Sequence, residues 1–430
     1  MKSGSQIDHS AMRVLVVTEH ASDRFGGEAS LPLHIFRKLR ARGIEAWMIT
    51  HARTRDELQI AIPDQLDRVH FVPDTWINKL TYRLGKFLPA QIAYFSTGYV
   101  SRLSSQITTR RLARKMVGEQ GVTIVHQPIP VSPREPSLLH DLGAPMVMGP
   151  LNGGMSFPPG FSTGNGRLGA LSGVIAAARY ASGALHQLMP GKLRAETLLV
   201  ANERTRLALP QGCRGKVITL IENGVDLTVW SPPERTTRTA EQGPARFVFI
   251  GRLVDWKAVN LLLEAFARSF NDGSASLTIV GDGPMRNAWQ EQARALGLDK
   301  SVRFTGWLSQ KQASAILADS DVLVLPSLYE AGGAVVLEAM ASGLPVIATN
   351  WGGPRDYLDE SCGILVDPRD HDSFIAGLTA AMQRLAGDAA LRQSMGRAAA
   401  EKVSNGTLNW DRKIERLLEI YEQTVQSAKR

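Results

Sequence analysis

Short apolar runs rich in β-branched residues alternate with helix-period segments from one end of this 430-residue chain to the other. In the first half, RVLVVTE (Arg13 to Glu19), EAWMIT, GVTIVHQP and APMVMGP have the length and bounding residues of buried strands. Between the first two, Leu33, Phe36 and Leu39 recur at helical spacing after a Gly26-Gly27 loop. The second half restarts the pattern with RFVFIG, SLTIVGDG, SVRFTG, DVLVLPS, LPVIAT and GILVDP, broken by helices such as LLLEAFARSF. Strands that are apolar throughout need helices on both faces, so the alternation predicts parallel α/β sheets. A chain of this length exceeds what one core serves, and the restart predicts two doubly wound domains.

The polar, Pro-containing stretch from Glu222 to Arg246 separates the two series and reads as an interdomain linker. A last helical segment, NWDRKIERLLEIYEQTVQ, follows the second series. Ligands of doubly wound sheets bind outside the carboxyl ends of the strands, so two such domains predict a cleft between those ends. The residues to weigh are those that follow strands.

Composition narrows the class. With 44% hydrophobic and 21% charged residues, the chain reads as an ordinary soluble globular protein. Cys213 and Cys362 are too far apart for a disulfide framework or a metal-ligand spacing, which predicts a reducing, cytoplasmic setting. MKSGSQIDHSAM is too polar for a secretory signal, and the apolar run Gly169 to Leu185 is broken by Arg179 and too short to span a bilayer. Of the 49 Lys+Arg and 41 Asp+Glu, residues 1–217 hold 27 and 15, leaving 22 and 26 for residues 218–430. The resulting +12 and −4 predict an anionic partner for the first half: nucleic acid, a phospholipid surface or a phosphorylated substrate.

In LYEAGGAVVLEAM, Glu330 follows the strand DVLVLPS, and Gly332-Gly333 can open a helix that carries Glu338. The free N–H groups and dipole of a helix start favour an anion or a hydroxyl-rich ligand, and Glu338 suits a pair of vicinal hydroxyls. The spacing alone equally admits a helix cap at Glu330 and a solvated Glu338. GRLVDWKAVN places Arg252 and Lys257 after another strand. A guanidinium and an ammonium together suit a diphosphate, and a solvated basic loop is the alternative. The company of two strand-end carboxylates and a glycine-opened helix favours the diphosphate.

These residues bring the chain into resemblance with the retaining glycosyltransferases of GT-B fold, glycosyltransferase family 4. The likeness rests on IGRLVDWK, VGDGP, RFTGW, PSLYEAGGAVVLEAMASGLPVIAT, GGPRDYL and GILVDP, in family order across the second half. The first half matches more thinly, through Gly26-Gly27, the strand ending in His126 and IENGVD. The resemblance implies two Rossmann-like domains facing each other across a cleft: an acceptor-side domain (1–217), a nucleotide-sugar domain (218–408) and a final helix (409–430) packing back on the first.

It further implies that Arg252 and Lys257 neutralise the donor diphosphate. Glu338 would hold the ribose, and Glu330 the donor sugar with amides near Gly332, Gly333 and Ala334. His126 would contact the donor sugar, Gly26-Gly27 would admit phosphate or acceptor, and Val302 to Thr305, including Arg303, would pass near the base. Without the resemblance, His126 reads as a satisfied core histidine. Gly332 stands where the family often has an aromatic, a departure that bears on donor-sugar selection. Such enzymes are thought to retain configuration through the leaving diphosphate, so positioning and charge matter more than a protein base.

No metal or other cofactor is expected. Asp319-Ser320-Asp321 precedes a strand rather than following one, and it reads as structural. HQPIPVSPREPS and GPLNGGMSFPPG offer Arg134, Asn152 and Gly153 as acceptor contacts, with turn chemistry as the alternative. WINKLTYRLGKFLPAQIAYF and RRLARK interleave aromatics and cations in helical phasing, which fits either an anionic bilayer surface or helices that simply cover the sheet. The expected partners are a nucleotide sugar and a glycan or lipid-linked acceptor, in cell-surface polysaccharide synthesis at the inner face of the membrane. A glycosidase using the Glu330–Glu338 pair leaves Arg252 and Lys257 without a role. A non-catalytic nucleotide- or nucleic-acid-binding module remains open, although no nucleic-acid motif is visible. A dehydrogenase is disfavoured because GDGPMR lacks the third glycine.

Overall fold

The computed structural model describes residues 11–22, 27–85, 87, 97–161, 183, 185–231 and 243–430. Gly26, most of the apolar run 169–185, most of 86–96 and residues 232–242 of the linker lie outside them. The strands are β1 (Arg13–Val17), β2 (Glu45–His51), β3 (Val69–Val72), β4 (Ile124–Gln127), β5 (Met146–Leu151), β6 (Thr197–Val200) and β7 (Lys216–Thr219) in the first sheet. The second holds β8 (Ala245–Ile250), β9 (Ala275–Val280), β10 (Val302–Gly306), β11 (Val322–Leu325), β12 (Val346–Thr349) and β13 (Gly363–Val366). Their orders are β3-β2-β1-β4-β5-β6-β7 and β10-β9-β8-β11-β12-β13, and the named strands pair in parallel throughout. Two doubly wound parallel sheets are the fold that the alternation predicts.

The central strands β1, β4, β11 and β12 are buried along nearly their whole length, as strands covered on both faces must be. Leu15, Val17, Trp47, Ile49, Met148 and Leu198 join in the first core. In the second, Phe247 meets Phe266 and Phe270 with ring centroids 5.5–6.2 Å apart. The sequence reading did not single out β3, β6 and β7, which are four residues each. β7 is an edge strand whose side chains are mostly exposed, so it lacks the apolar signature.

The chain divides into two units. The first comprises Met1–Gly154, Leu171–Glu222 and Ile414–Arg430, and the second Met155–Ala170 and Asn223–Lys413. The final helix, Trp410–Ala428, therefore belongs to the first unit from Ile414 onward. There Thr424 and Thr197 share a hydrogen bond of 2.8 Å, and Tyr421 reaches into the sheet. Met155–Phe161 leaves the first sheet in sequence yet packs with the second unit. Among the described residues no helix is long and apolar enough to cross a membrane.

Candidate functional site

Four loops at the carboxyl ends of β8, β9, β11 and β12 are stitched together by their backbones. Leu253 N–H donates to the Asp282 carbonyl (2.9 Å), Leu328 N–H to Trp256 (2.8 Å) and Gly353 N–H to Glu330 (2.9 Å). The approach is close enough to require glycine: a Cβ on Gly281 would stand 1.9 Å from the Gly251 carbonyl oxygen. These loops therefore hold their side chains on a rigid frame.

Lys257 sits in a short 3-10 turn, Asp255–Lys257, that ends at Ala258. Ala258 has φ 51°, a left-handed conformation costing a non-glycine residue about 1–2 kcal/mol. The turn aims the ammonium at the β11 loop, where it pairs with Glu330 Oε2. Each of the two side chains is 14% exposed. Arg252, in the same loop, is exposed, and no described residue engages its guanidinium. Gly332 is buried, and Gly333 (φ 79°) caps the helix Ala334–Ala341 in a conformation natural to glycine. No side chain caps that helix; Val336 N–H donates to the Gly333 carbonyl (2.9 Å), and the N–H groups of Ala334 and Val335 stay open to a ligand among the described residues.

Glu338 lies on the same helix, half-buried. Its carboxylate has no hydrogen bond or ion pair among the described residues, and burial pushes its pKa up to about 7. A carboxylate partly stripped of water and without a partner among the described residues is an acceptor held open for donors. The structure thus brings Arg252, Lys257, Glu330, Gly332, Gly333, Ala334 and Glu338 onto one set of strand ends and the helix that follows. Together they can neutralise a diphosphate and bind hydroxyls.

Other expected site residues are placed elsewhere. His126 is fully buried in β4; its Nε2 donates to the Gly149 carbonyl (2.5 Å) and its Nδ1 accepts from the Tyr421 hydroxyl (2.6 Å). Burial lowers its pKa to about 4, so the ring is neutral and both nitrogens are used. The contact to a donor sugar is corrected to that of a core histidine. Asn152 is also corrected: its Nδ2 donates to Glu222 (2.5 Å) and its Oδ1 accepts from Arg204 (3.2 Å). Gly153 N–H donates to Thr205 Oγ1, and a Cβ there would lie 2.4 Å from Pro133 Cδ, so packing explains this glycine. Arg134 is exposed, and its carbonyl accepts from His186 (3.2 Å). Gly27 is the first residue of the helix Gly27–Ala41, with open space around it, and Gly26 lies outside the described residues.

Arg303 is corrected too. It lines a cavity of about 650 Å3 with Arg246 and Asp319, residues at the amino ends of strands and away from the Lys257–Glu330 loops. In the Asp319-Ser320-Asp321 triplet both carboxylates are engaged by Arg246, whose backbone N–H also donates to Asp321 (2.9 Å).

The segment Met155–Phe161 was missed as part of this site, because chain order assigns it to the first domain. Trp351 Nε1 donates to the Ser156 carbonyl (2.8 Å), and the Phe157 ring lies 5.1 Å from Tyr329, next to Glu330. Phe161 packs edge-on to Phe374 at 5.9 Å. Its one legible sign was an aromatic pair inside a Pro-Gly loop.

Residues 233–402 match the family model of the group 1 glycosyl transferases. Those residues are similar to a group 1 glycosyl transferase domain. They contain every residue of the strand-end cluster. Glycogen synthase from Mycobacterium tuberculosis is 35% identical over 190 residues, 44% of this chain and 44% of that protein. The matched part of the chain spans less than half the length of that curated relative. Sucrose-phosphate synthase from Thermosynechococcus elongatus superposes on 96% of this chain and 100% of its own, with TM-score 0.65 and 18% identity. Anabaena HepE, in complex with UDP, superposes on 97% and 100% with TM-score 0.61 and 14% identity. The two solved structures carry the fold, GT-B, and residues 233–402 carry the sequence likeness.

Proposed function

We propose that the protein is a retaining glycosyltransferase of family 4 that moves a sugar from a nucleoside diphosphate sugar to a hydroxyl of a glycan or lipid-linked acceptor, in cell-surface polysaccharide synthesis. The observation that carries this reading is the Lys257–Glu330 pair beside the glycine-capped helix that holds Glu338, whose carboxylate has no partner among the described residues. Arg252 and Lys257 meet the diphosphate and its growing charge as the sugar departs, Glu330 orients sugar hydroxyls, and Glu338 takes the ribose pair. The UDP in the HepE structure supports a nucleotide ligand for this fold. No divalent metal is required in this scheme, in which Arg252 and Lys257 supply the positive charge that meets the phosphates.

The first unit supports peripheral attachment to an anionic membrane on the cytoplasmic side. The helix Trp76–Gly85 turns polar residues inward: Asn78 Nδ2 donates to Ser101 Oγ (2.7 Å) and Ser105 Oγ (3.0 Å). Its outer face carries Trp76, Leu80 and Leu84, exposed by 73%, 47% and 52%, with Phe87 beyond. Lys79 and Arg83 stand exposed beside them, the pattern of an interfacial helix.

The test is a panel of nucleotide sugars incubated with lipid-linked and free glycan acceptors, following nucleoside diphosphate release and the anomeric configuration of the product by NMR. Release with retention, insensitive to EDTA, is the expected result. Nucleotide binding with no release from any donor favours a non-catalytic binding module instead.

A further inference from the structure

The first unit contains a cavity of about 600 Å3 at the carboxyl ends of its central strands, continuous in its lining with a smaller inner recess through Glu19, Ile129, Pro130 and Glu135. Its charges run opposite to those of the unit around it. Among the described residues that line it, three carry carboxylates, Glu19, Glu28 and Glu135. The two arginines among these described residues already have acidic partners: Arg53 meets Asp74 at 2.9 Å and Arg102 meets Glu135 at 3.6 Å. Glu28 accepts one backbone N–H, from Val131 at 3.1 Å, and Glu19 has His20 at 3.7 Å. The carboxylates keep acceptor oxygens to spare.

A second, independent feature points the same way. His51 lines the inner recess and is 3% exposed. Its Nδ1 accepts from the Arg53 N–H (3.2 Å), so the ring proton sits on Nε2. That Nε2 makes no hydrogen bond; Asp74 Oδ1 lies 3.4 Å away, outside hydrogen-bond geometry. Burial keeps the ring neutral. A buried donor that makes no hydrogen bond, beside carboxylates with acceptor oxygens to spare, is the complement of a hydroxyl group, which gives and takes one hydrogen bond each. An ammonium also satisfies the carboxylates, whereas a phosphate or carboxylate on the ligand meets like charge.

We infer that this cavity takes the glycosyl end of the acceptor, and that this end is hydroxyl-rich, free of anionic substituents and preferentially amine-bearing. The inference rests on the transferase reading for the word acceptor, and on the cavity alone for the ligand chemistry. It locates the anionic partner expected from the +12 balance elsewhere, on the outer surface of the unit.

Glucosamine, glucose and glucose 6-phosphate serve as probes, titrated by saturation-transfer NMR into the full chain with UDP present to fill the nucleotide site. Glucosamine is expected to bind at least about tenfold tighter than glucose 6-phosphate, with glucose between. Glu28→Gln keeps an oxygen for Val131 and removes only charge, and Glu19→Gln does likewise. Each is expected to cut the preference for glucosamine over glucose severalfold, with UDP affinity unchanged as the folding control. Equal or tighter binding of glucose 6-phosphate, or an unaltered preference in both variants, overturns the inference. Failure of UDP to bind the unmodified protein sinks the transferase reading instead, and the ranking of the three probes still decides the chemistry of the cavity.

Discussion

Lys257 Nζ donates to Glu330 Oε2 between loops that lie 73 residues apart in the chain. Each charge has given up most of its water and depends on the other. Lys257→Ala therefore strands a half-buried carboxylate, and a loss of about 3 kcal/mol in unfolding free energy is expected along with loss of transfer. Lys257→Met combined with Glu330→Gln removes both charges. It should recover most of that stability while transfer stays lost. Urea unfolding run beside rate measurements checks this, and equal destabilisation of the single and double variants would show that the two groups are not coupled.

Glu338 carries a pH signature. Its pKa is raised from an ordinary 4.5 to about 7 by burial, so the folded protein holds this proton more tightly than the unfolded chain. Its contribution is most favourable below pH 4.5 and is lost as pH rises through about 7, by on the order of 3 kcal/mol. Glu338→Gln should then raise Tm by several degrees at pH 8 and change it little near pH 4. Hydroxyl donors favour the ionised carboxylate, so UDP affinity should rise between pH 6 and pH 8 by more in the unmodified protein than in the glutamine variant. Parallel pH profiles in the two proteins would contradict that role.

Arg246 answers the question raised by the aspartate triplet. It spans Asp319 and Asp321 at the amino ends of β8 and β11. Arg246→Ala should cost about 1 kcal/mol, because Asp319 is well exposed and Asp321 keeps the backbone N–H of residue 246. Transfer rates should stay within about twofold, with or without EDTA. A collapse of activity with intact folding would instead assign the triplet a place in the reaction.

What could be read from the sequence follows from how local each signal is. Strands β8 to β13 and the Glu330–Glu338 stretch lie in short segments whose apolar runs and glycines act on their own neighbours, so pattern and spacing suffice. His126 stands at the end of a strand in the sequence, where a ligand contact was expected. What decides its role is Tyr421, 295 residues away, and no local pattern announces that hydrogen bond. Phe157 belongs with Tyr329 for a similar reason, since a loop that changes units looks like any other Pro-Gly loop. The helix Trp76–Gly85 shows the opposite case. Its amphipathic period was legible, but which face is buried depends on Ser101 and Ser105, and the polar face went inward.

That inverted helix gives a prediction of its own. Trp76, Leu80, Leu84 and Phe87 form an exposed apolar stripe, and transferring each into a bilayer interface is worth up to about 1.5–3 kcal/mol. Lys79 and Arg83 each add about 1 kcal/mol against an anionic surface at low salt. Cosedimentation with phosphatidylserine-containing vesicles should be strong at low ionic strength and weaker at high, because surface attraction is screened within a Debye length. Trp76→Ser with Leu80→Ser should reduce partitioning at least about tenfold at every salt concentration. Lys79→Gln with Arg83→Gln should mainly remove the salt dependence. Neither pair touches the Asn78 network that holds the helix, so folding and transfer to a water-soluble acceptor should be preserved. Unchanged partitioning in the serine variant, or no vesicle binding by the unmodified protein at any salt, would remove the membrane from the proposed function.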